Sequence, residues 1–288
     1  MKGKVFNRSR LFSLLISTLL VFTFIATPCE VSAASGGKKT VYVVSSVNVS
    51  MSGGNYYPSE SFTGKLKYNK NGFLTNYSCN ASKKLRGLNE CYSNCSFTYK
   101  GKKLIKERYG KASSDLSYTT KYSYKKGALK GYEFIYSEDD FFSYKCKLNK
   151  KGRITKTTNL YGENDIYKYD SNGYLIQSYP EDRPDLADTY SYDAQGNLTE
   201  AIVKHLASPI DSSIEADKNS AVNTYNNGRL TGTVITKYDG SIVNVTVTYA
   251  KKKVPKKYYK AVKIQQHDVI ARYVHGEIDS IPLGSFKK

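Results

Sequence analysis

A short pattern recurs along this chain. An aromatic or leucine anchor is followed by a tight turn of Asn, Asp, Lys and Gly, then by Leu or Ile five or six residues after the anchor. The copies are YNKNGFL from Tyr68, YKGKKL from Tyr99, YKKGAL from Tyr124, LNKKGRI from Leu148, YDSNGYL from Tyr169, YDAQGNL from Tyr192 and YNNGRL from Tyr225. A glycine-free copy, YAKKKV, starts at Tyr249. Anchors stand 21 to 33 residues apart. A period of that length is the mark of stacked supersecondary units, none of which buries its apolar face alone.

Residues before each turn alternate. Leu66 and Tyr68 share one side, and Lys65 and Lys67 the other; Tyr144, Cys146 and Leu148 stand opposite Lys145 and Lys147. A period of two predicts a half-buried strand. Asn or Asp early in the turn and Gly late predict a tight β-hairpin turn. Two positions beyond the Leu or Ile come Asn76, Lys106, Gly131, Lys156, Gln177, Glu200 and Gly232, none of them apolar. The returning strand therefore carries a bulge near the turn or is only partly covered.

The expected fold is all-β: about eight antiparallel hairpins in a curled meander or solenoid-like sheet. Roughly sixteen strands exceed what an open twisted sheet tolerates without curling or closing. Residues 34–61 read as a lead-in strand, 62–255 as the hairpin-repeat domain and 256–288 as C-terminal capping strands. The stretch 77–96 reads as an insertion, and 200–222 as a polar loop or a short helix.

Residues 1–33 read as a secretory leader. Lys2, Lys4, Arg8 and Arg10 precede the apolar run Leu11–Ile25, and Val31-Ser32-Ala33 suits signal cleavage. No membrane span is expected once it is removed. The formal charge is +19, and subtracting the +3 of residues 1–33 leaves about +16. An exported protein this basic adheres to polyanions. The densest basic run supplies the candidate polyanion-binding residues Lys251, Lys252, Lys253, Lys256 and Lys257. The expected partner is an anionic wall polymer or polysaccharide, with no specific nucleic acid. The plainer reading is that lysines keep a tyrosine-rich sheet soluble and blunt its edges.

Cys79, Cys91 and Cys95 are candidates for a local disulfide, and Cys146 falls on the buried face. The three histidines, His205, His267 and His275, are scattered, and no metal, cofactor or nucleophile motif occurs. Carboxylates gather at Glu138, Asp139 and Asp140 and at Glu181, Asp182 and Asp185, beside turns where acids are ordinarily just solvated. The expectation is a non-enzymatic protein without cofactor. An outward tyrosine ladder would stack on sugar rings, giving a carbohydrate-binding module as the alternative; an inward ladder is core. A transmembrane barrel fits poorly, because the tyrosine-rich face is not continuously aliphatic.

YDSNGYL and YDAQGNL resemble the YD repeats of RHS-type bacterial surface proteins, roughly Tyr-Asp-x-x-Gly-Arg-Leu, with YNNGRL and LNKKGRI as partial matches. The resemblance spans residues 62–255. It implies extracellular β-hairpin strips, which in that family wrap into a shell, and a scaffold for protein–protein interaction. Choline- and glucan-binding repeats share the hairpin-with-aromatic plan but rely on tryptophan, of which this chain has none.

Overall fold

The computed structural model describes residues 37–110, 117–137, 140–207 and 213–277, so the leader lies outside the described residues. Strand β1 spans Lys38–Ser52, β2 Glu60–Tyr68, β3 Leu74–Cys79, β4 Cys95–Lys100, β5 Lys103–Tyr109, β6 Tyr118–Lys125, β7 Ala128–Ile135 and β8 Phe141–Leu148. The order continues with β9 Ile154–Thr158, β10 Asn164–Tyr169, β11 Leu175–Pro180, β12 Asp188–Tyr192, β13 Leu198–Leu206, β14 Ile214–Asn226, β15 Arg229–Thr236 and β16 Ile242–Pro255. Among the described residues there are two α-helices, α1 (Lys83–Leu88) and α2 (Tyr259–Tyr273).

Each strand pairs antiparallel with its sequence neighbours, and β1 pairs with β16, so the sixteen strands close into a barrel. The hairpin meander is as expected; the solenoid is not, because closure leaves no stacking end. The lead-in strand makes the closure. Fifteen residues long, β1 pairs with β16 from Lys38↔Pro255 to Ser52↔Ile242, and turns Val41, Val47, Val49 and Met51 inward. Closing the sheet removes two exposed edges.

The repeat is the hairpin turn. Asn69 Oδ1 accepts from the backbone N–H of Asn71 and Phe73 at 2.9 and 3.1 Å. Asn149, Asp170 and Asp193 do the same in their own turns. Gly72, at φ +91°, takes the left-handed position that side chains avoid.

Every one of the seven glycine-bearing hairpins carries a bulge at the same place. In the first, Lys67 faces Asn76 while Tyr68 faces Leu74, so Thr75 is the extra residue. The same slip follows in the hairpins of Tyr99, Tyr124, Leu148, Tyr169, Tyr192 and Tyr225. The bulge flips the phase of the returning strand. Leu74, Leu104, Leu129, Ile154, Leu175, Leu198 and Leu230 point inward, and the next inward residue is three positions on, not two. Tyr77, Glu107, Tyr132, Thr157, Ser178, Ala201 and Thr233 occupy those positions, and all are buried.

Anchor hydroxyls then tie hairpin to hairpin. Tyr124 Oη donates to the Leu104 carbonyl at 2.8 Å, Tyr169 to Ile154 at 2.7 Å and Tyr192 to Leu175 at 2.7 Å. In each case the acceptor is the Leu or Ile of the preceding hairpin.

The C-terminal segment is helical rather than stranded. Its buried positions are Val262, Gln265, Gln266, Val269, Arg272 and Tyr273, the i, i+3, i+4, i+7 spacing of a helix. Polar residues occupy half of that stripe, which hides it from an apolar pattern. Partners of α2 are spread around the ring: Val44 on β1, Leu74 on β3, Tyr99 on β4, Glu107 on β5 and Asn223 on β14, the last through His275 just beyond the helix. Arg153 ahead of β9 and Gly196 ahead of β13 bond to it from the remaining arc, through Asp268 and His267, so the helix is ringed by wall and lies inside it. The stretch 200–222, expected as a polar loop or a short helix, falls instead mostly within the strands β13 (Leu198–Leu206) and β14 (Ile214–Asn226), while 208–212 lie outside the described residues.

Removing the staple hydroxyl in Tyr124→Phe is expected to cost about 1 kcal/mol, and truncating an anchor in Tyr169→Ala about 3 kcal/mol. Thermal unfolding checks both, and an unchanged midpoint for Tyr169→Ala would mean that the ladder carries no packing.

Candidate functional site

A sixteen-strand ring is wide enough to leave an aqueous channel when its lumen is empty. Here α2 and the inward tyrosines occupy it. Tyr273 stacks on Tyr77 with ring centroids 4.1 Å apart, and His267 stacks on Tyr174 at 3.8 Å and 3°. A cavity of about 10 Å³ beside His275 has room for one water.

Three ion pairs lock helix and tail to the wall. Arg272 meets Glu107 at 2.7 Å with both side chains almost fully enclosed. Arg153 grips Asp268 through two hydrogen bonds of 2.7 and 2.9 Å. Lys237, between β15 and β16, meets Glu277 at 2.5 Å. Burial pushes the Asp268 carboxyl up, but the Arg153 guanidinium outweighs it, with help from His267, and holds it well below the usual carboxylate range. The same balance, burial against the Glu277 charge, holds Lys237 above the ordinary lysine value.

The interior is poorly suited to nucleophilic chemistry. Cys79, Cys91, Cys95 and Cys146 are thiols, so the expected local disulfide is not present. Cys79 donates its S–H to the Tyr92 carbonyl, and Cys95 turns toward the Glu107 carboxylate. Burial pushes the Cys146 thiol up to about 12 and raises Cys79 and Cys95 as well. Thiols held protonated are weak nucleophiles. Burial pushes the His275 imidazole down to about 4, so it is neutral at ordinary pH. Among the described residues no cluster of His, Cys, Asp or Glu could hold a metal ion. Glu138 and Asp139 lie outside the described residues; Glu181 and Asp185 are engaged by Lys156 and Arg183 at 2.8 Å each.

The tyrosine anchors Tyr68, Tyr99, Tyr124, Tyr169, Tyr192 and Tyr225 pack against the core from inside. They form no outward ladder for stacking on sugars.

The five lysines of the basic run are not one patch. Lys251 and Lys253 are exposed on β16, and Lys251 lies over the Tyr42 ring at 5.7 Å. Lys252 is half-buried and donates to the Tyr68 carbonyl at 3.2 Å, which removes it from the surface. Lys256 and Lys257 are exposed in the single 3-10 turn (Lys256–Tyr258) that leads into α2.

A larger basic surface lies elsewhere. Outward positions from β2 to β8 carry Lys65, Lys67, Lys106, Arg108, Lys121, Lys145 and Lys147, all exposed. Lys106 sits directly opposite Lys121, an unfavourable pairing of like charges on adjacent strands. None of these seven cations is ion-paired among the described residues. Several cations from β9 to β14 are matched: Lys156 with Glu181, Arg183 with Asp185, and Lys218 with Glu200. The alternation Lys-x-Lys before the anchors announces Lys65, Lys67, Lys145 and Lys147 in the sequence; the juxtaposition of Lys106 with Lys121 needs the register.

No protein-family model matches the chain, and no curated protein matches it by sequence. Among solved structures it is similar to a porin-like protein from Bacteroides uniformis (14% identity, 72% of this chain and 98% of that one, TM-score 0.33). A porin-like protein from Bacteroides vulgatus is similar at 11% identity, with the same coverage and a TM-score of 0.34. The Photorhabdus luminescens Tc holotoxin pore is similar at 15% identity over 65% of this chain and 8% of that one, with a TM-score of 0.26. Scores this low carry no argument about what the protein does.

Two outcomes are expected for the buried charges. Glu107→Ala strands the Arg272 guanidinium and should cost about 3–5 kcal/mol, whereas replacing both partners by Met should be near neutral; denaturant unfolding separates the two. The Asp268 carboxyl is depressed in the fold, so its contribution is full above the unfolded value of about 3.9 and is lost as pH falls below it. Asp268→Asn should therefore flatten the acid limb of a stability–pH curve, and an unaltered limb would dismiss the pair as its source.

Proposed function

We propose that this is an exported, non-enzymatic envelope protein whose basic outer face holds it on an anionic wall or surface polymer. The observation that carries the reading is the contrast in pairing: the outward strand cations Lys65, Lys67, Lys106, Arg108, Lys121, Lys145 and Lys147 have no ion pair among the described residues, while Lys156, Arg183 and Lys218 do. Like charges side by side, as at Lys106 and Lys121, are unfavourable, and although Glu133 faces Lys121 from β7, no carboxylate faces Lys106, so an outside anion would relieve the pairing. The filled lumen adds support, since α2 and the inward tyrosines leave the outer face as the place for a large ligand. The leader-like residues 1–33 would carry the chain out of the cell, where such polymers are found.

The closed hairpin ring is also compatible with an RHS-like scaffold for proteins. The carbohydrate-module alternative loses its ladder, because the anchoring tyrosines face the core.

The test is sedimentation of the purified protein with isolated cell walls, with and without teichoic acid, at low and high salt. Binding should require the polymer and fall steeply as salt screens it. A variant with Lys65, Lys67, Lys106 and Lys121 changed to Gln should bind at least tenfold more weakly while keeping its unfolding midpoint. Salt-resistant binding, or binding indifferent to these four lysines, would overturn the proposal.

A further inference from the structure

The basic face is interrupted by a step. The β8 ladder with β9 ends at Lys145↔Thr158, whereas its ladder with β7 continues to Phe141↔Ile135. The β7–β8 hairpin therefore extends past the short β9, and the β9–β10 turn sits in the recess beside it. A groove of about 300 Å³ occupies this step, at the lower end of the range for small-ligand sites.

Its make-up follows from the register. Gly131 faces Lys145 across the ladder. A Cβ at Gly131 would stand 2.3 Å from the Tyr144 carbonyl oxygen, so close strand approach excludes a side chain there. The outward neighbours Ser123 and Ser143 are small, and the floor is consequently low. Lys130, the bulge residue of β7, and Lys145 bring two ammonium groups to the groove; Glu133 brings a carboxylate and Ser143 a hydroxyl. Glu133 faces Lys121 across the β6–β7 ladder, but no ion pair engages Lys130, Lys145 or Glu133 among the described residues, and all three line the same groove. Leu160, 64% exposed in the β9–β10 turn, supplies an apolar wall.

Each group has a complementary partner in one kind of molecule. Two ammonium groups suit a phosphate, since Lys acts on it as a point charge. A carboxylate and a hydroxyl suit the O–H groups of a polyol, and an aliphatic wall suits its C–H face. We infer that this groove binds a hydroxylated phosphate, a polyol- or sugar-phosphate unit. It rests on the function proposed above and deepens it: the β2–β8 lysines hold the polymer chain at large, and the groove reads one repeating unit.

The experiment titrates the protein with glycerol 3-phosphate, inorganic phosphate and a poly(glycerol phosphate) polymer, following backbone amide shifts by NMR and affinity by calorimetry at low and high salt. Glycerol 3-phosphate should bind saturably, shift the amides of Gly131, Ser143 and Lys145, and compete with the polymer. Lys145→Gln should weaken it at least tenfold, and Glu133→Gln should reduce its advantage over inorganic phosphate. The unfolding midpoint of Lys145→Gln should stay unchanged, because Lys145 faces Gly131 and Thr158, and that of Glu133→Gln should fall only slightly, because Glu133 faces Lys121 across the β6–β7 ladder. Polymer binding that persists with no saturable monomer binding, or with monomer binding indifferent to Lys145→Gln, would overturn the groove and leave the electrostatic reading intact. Monomer binding in the groove with no polymer binding would support the groove, assign it to a free small phosphate, and overturn the polymer reading instead.

Discussion

A ring of sixteen strands encloses more space than short side chains from its own wall can fill, and the rest of the structure answers that constraint. Part of the answer is tyrosine, whose ring reaches farther inward than an aliphatic side chain and whose hydroxyl still finds an acceptor. The remainder is α2, whose diameter of about 10 Å suits the lumen left over. A helix inserted there is surrounded by wall, so its polar groups must be matched as well as its apolar ones. Gln265 and Gln266 satisfy strand backbone and anchor hydroxyls, and Arg272 and Asp268 meet opposite charges on the ring. Such buried pairs add little net stability but penalise any other seating of the helix.

The recurrent bulge is the second device. It lets one hairpin point both its anchor tyrosine and its leucine inward while moving the remainder of the returning strand into a new phase. It also places the leucine carbonyl where the next anchor tyrosine can reach it. One local irregularity, repeated seven times, thus sets the core packing of every such hairpin and, at Leu104, Ile154 and Leu175, the lateral bond to the next.

With the interior committed to packing, chemistry is left to the outside. Raised thiols, a neutral buried histidine and acids engaged by neighbouring cations are the groups the interior holds. Around the ring the charges are uneven: the ion pairs of Lys156, Arg183 and Lys218 fall between β9 and β14, while seven outward strand cations from β2 to β8 have none among the described residues. That asymmetry, more than the net charge, gives the basic character a direction in space, and the step at β9 gives it a small shaped recess.

The chain by itself determined the hairpins. Tyrosine at the anchor, Asn or Asp at the turn, a left-handed glycine and the out-of-phase return are local requirements, each met within about ten residues, so each is visible in the string of letters. The outward lysines of Lys65–Lys67 and Lys145–Lys147 were legible for the same reason. Closure was not, because whether a curled meander joins its ends depends on β1 finding β16, two hundred residues away. Nor was the plug: Gln265, Gln266, Asp268 and Arg272 look like surface residues until the ring supplies their partners. The separation of Lys252 from its neighbours, the facing of Lys106 by Lys121 and the groove over Gly131 likewise come from register and from side chains meeting across strands. Those are non-local facts, and only the tertiary structure decided them.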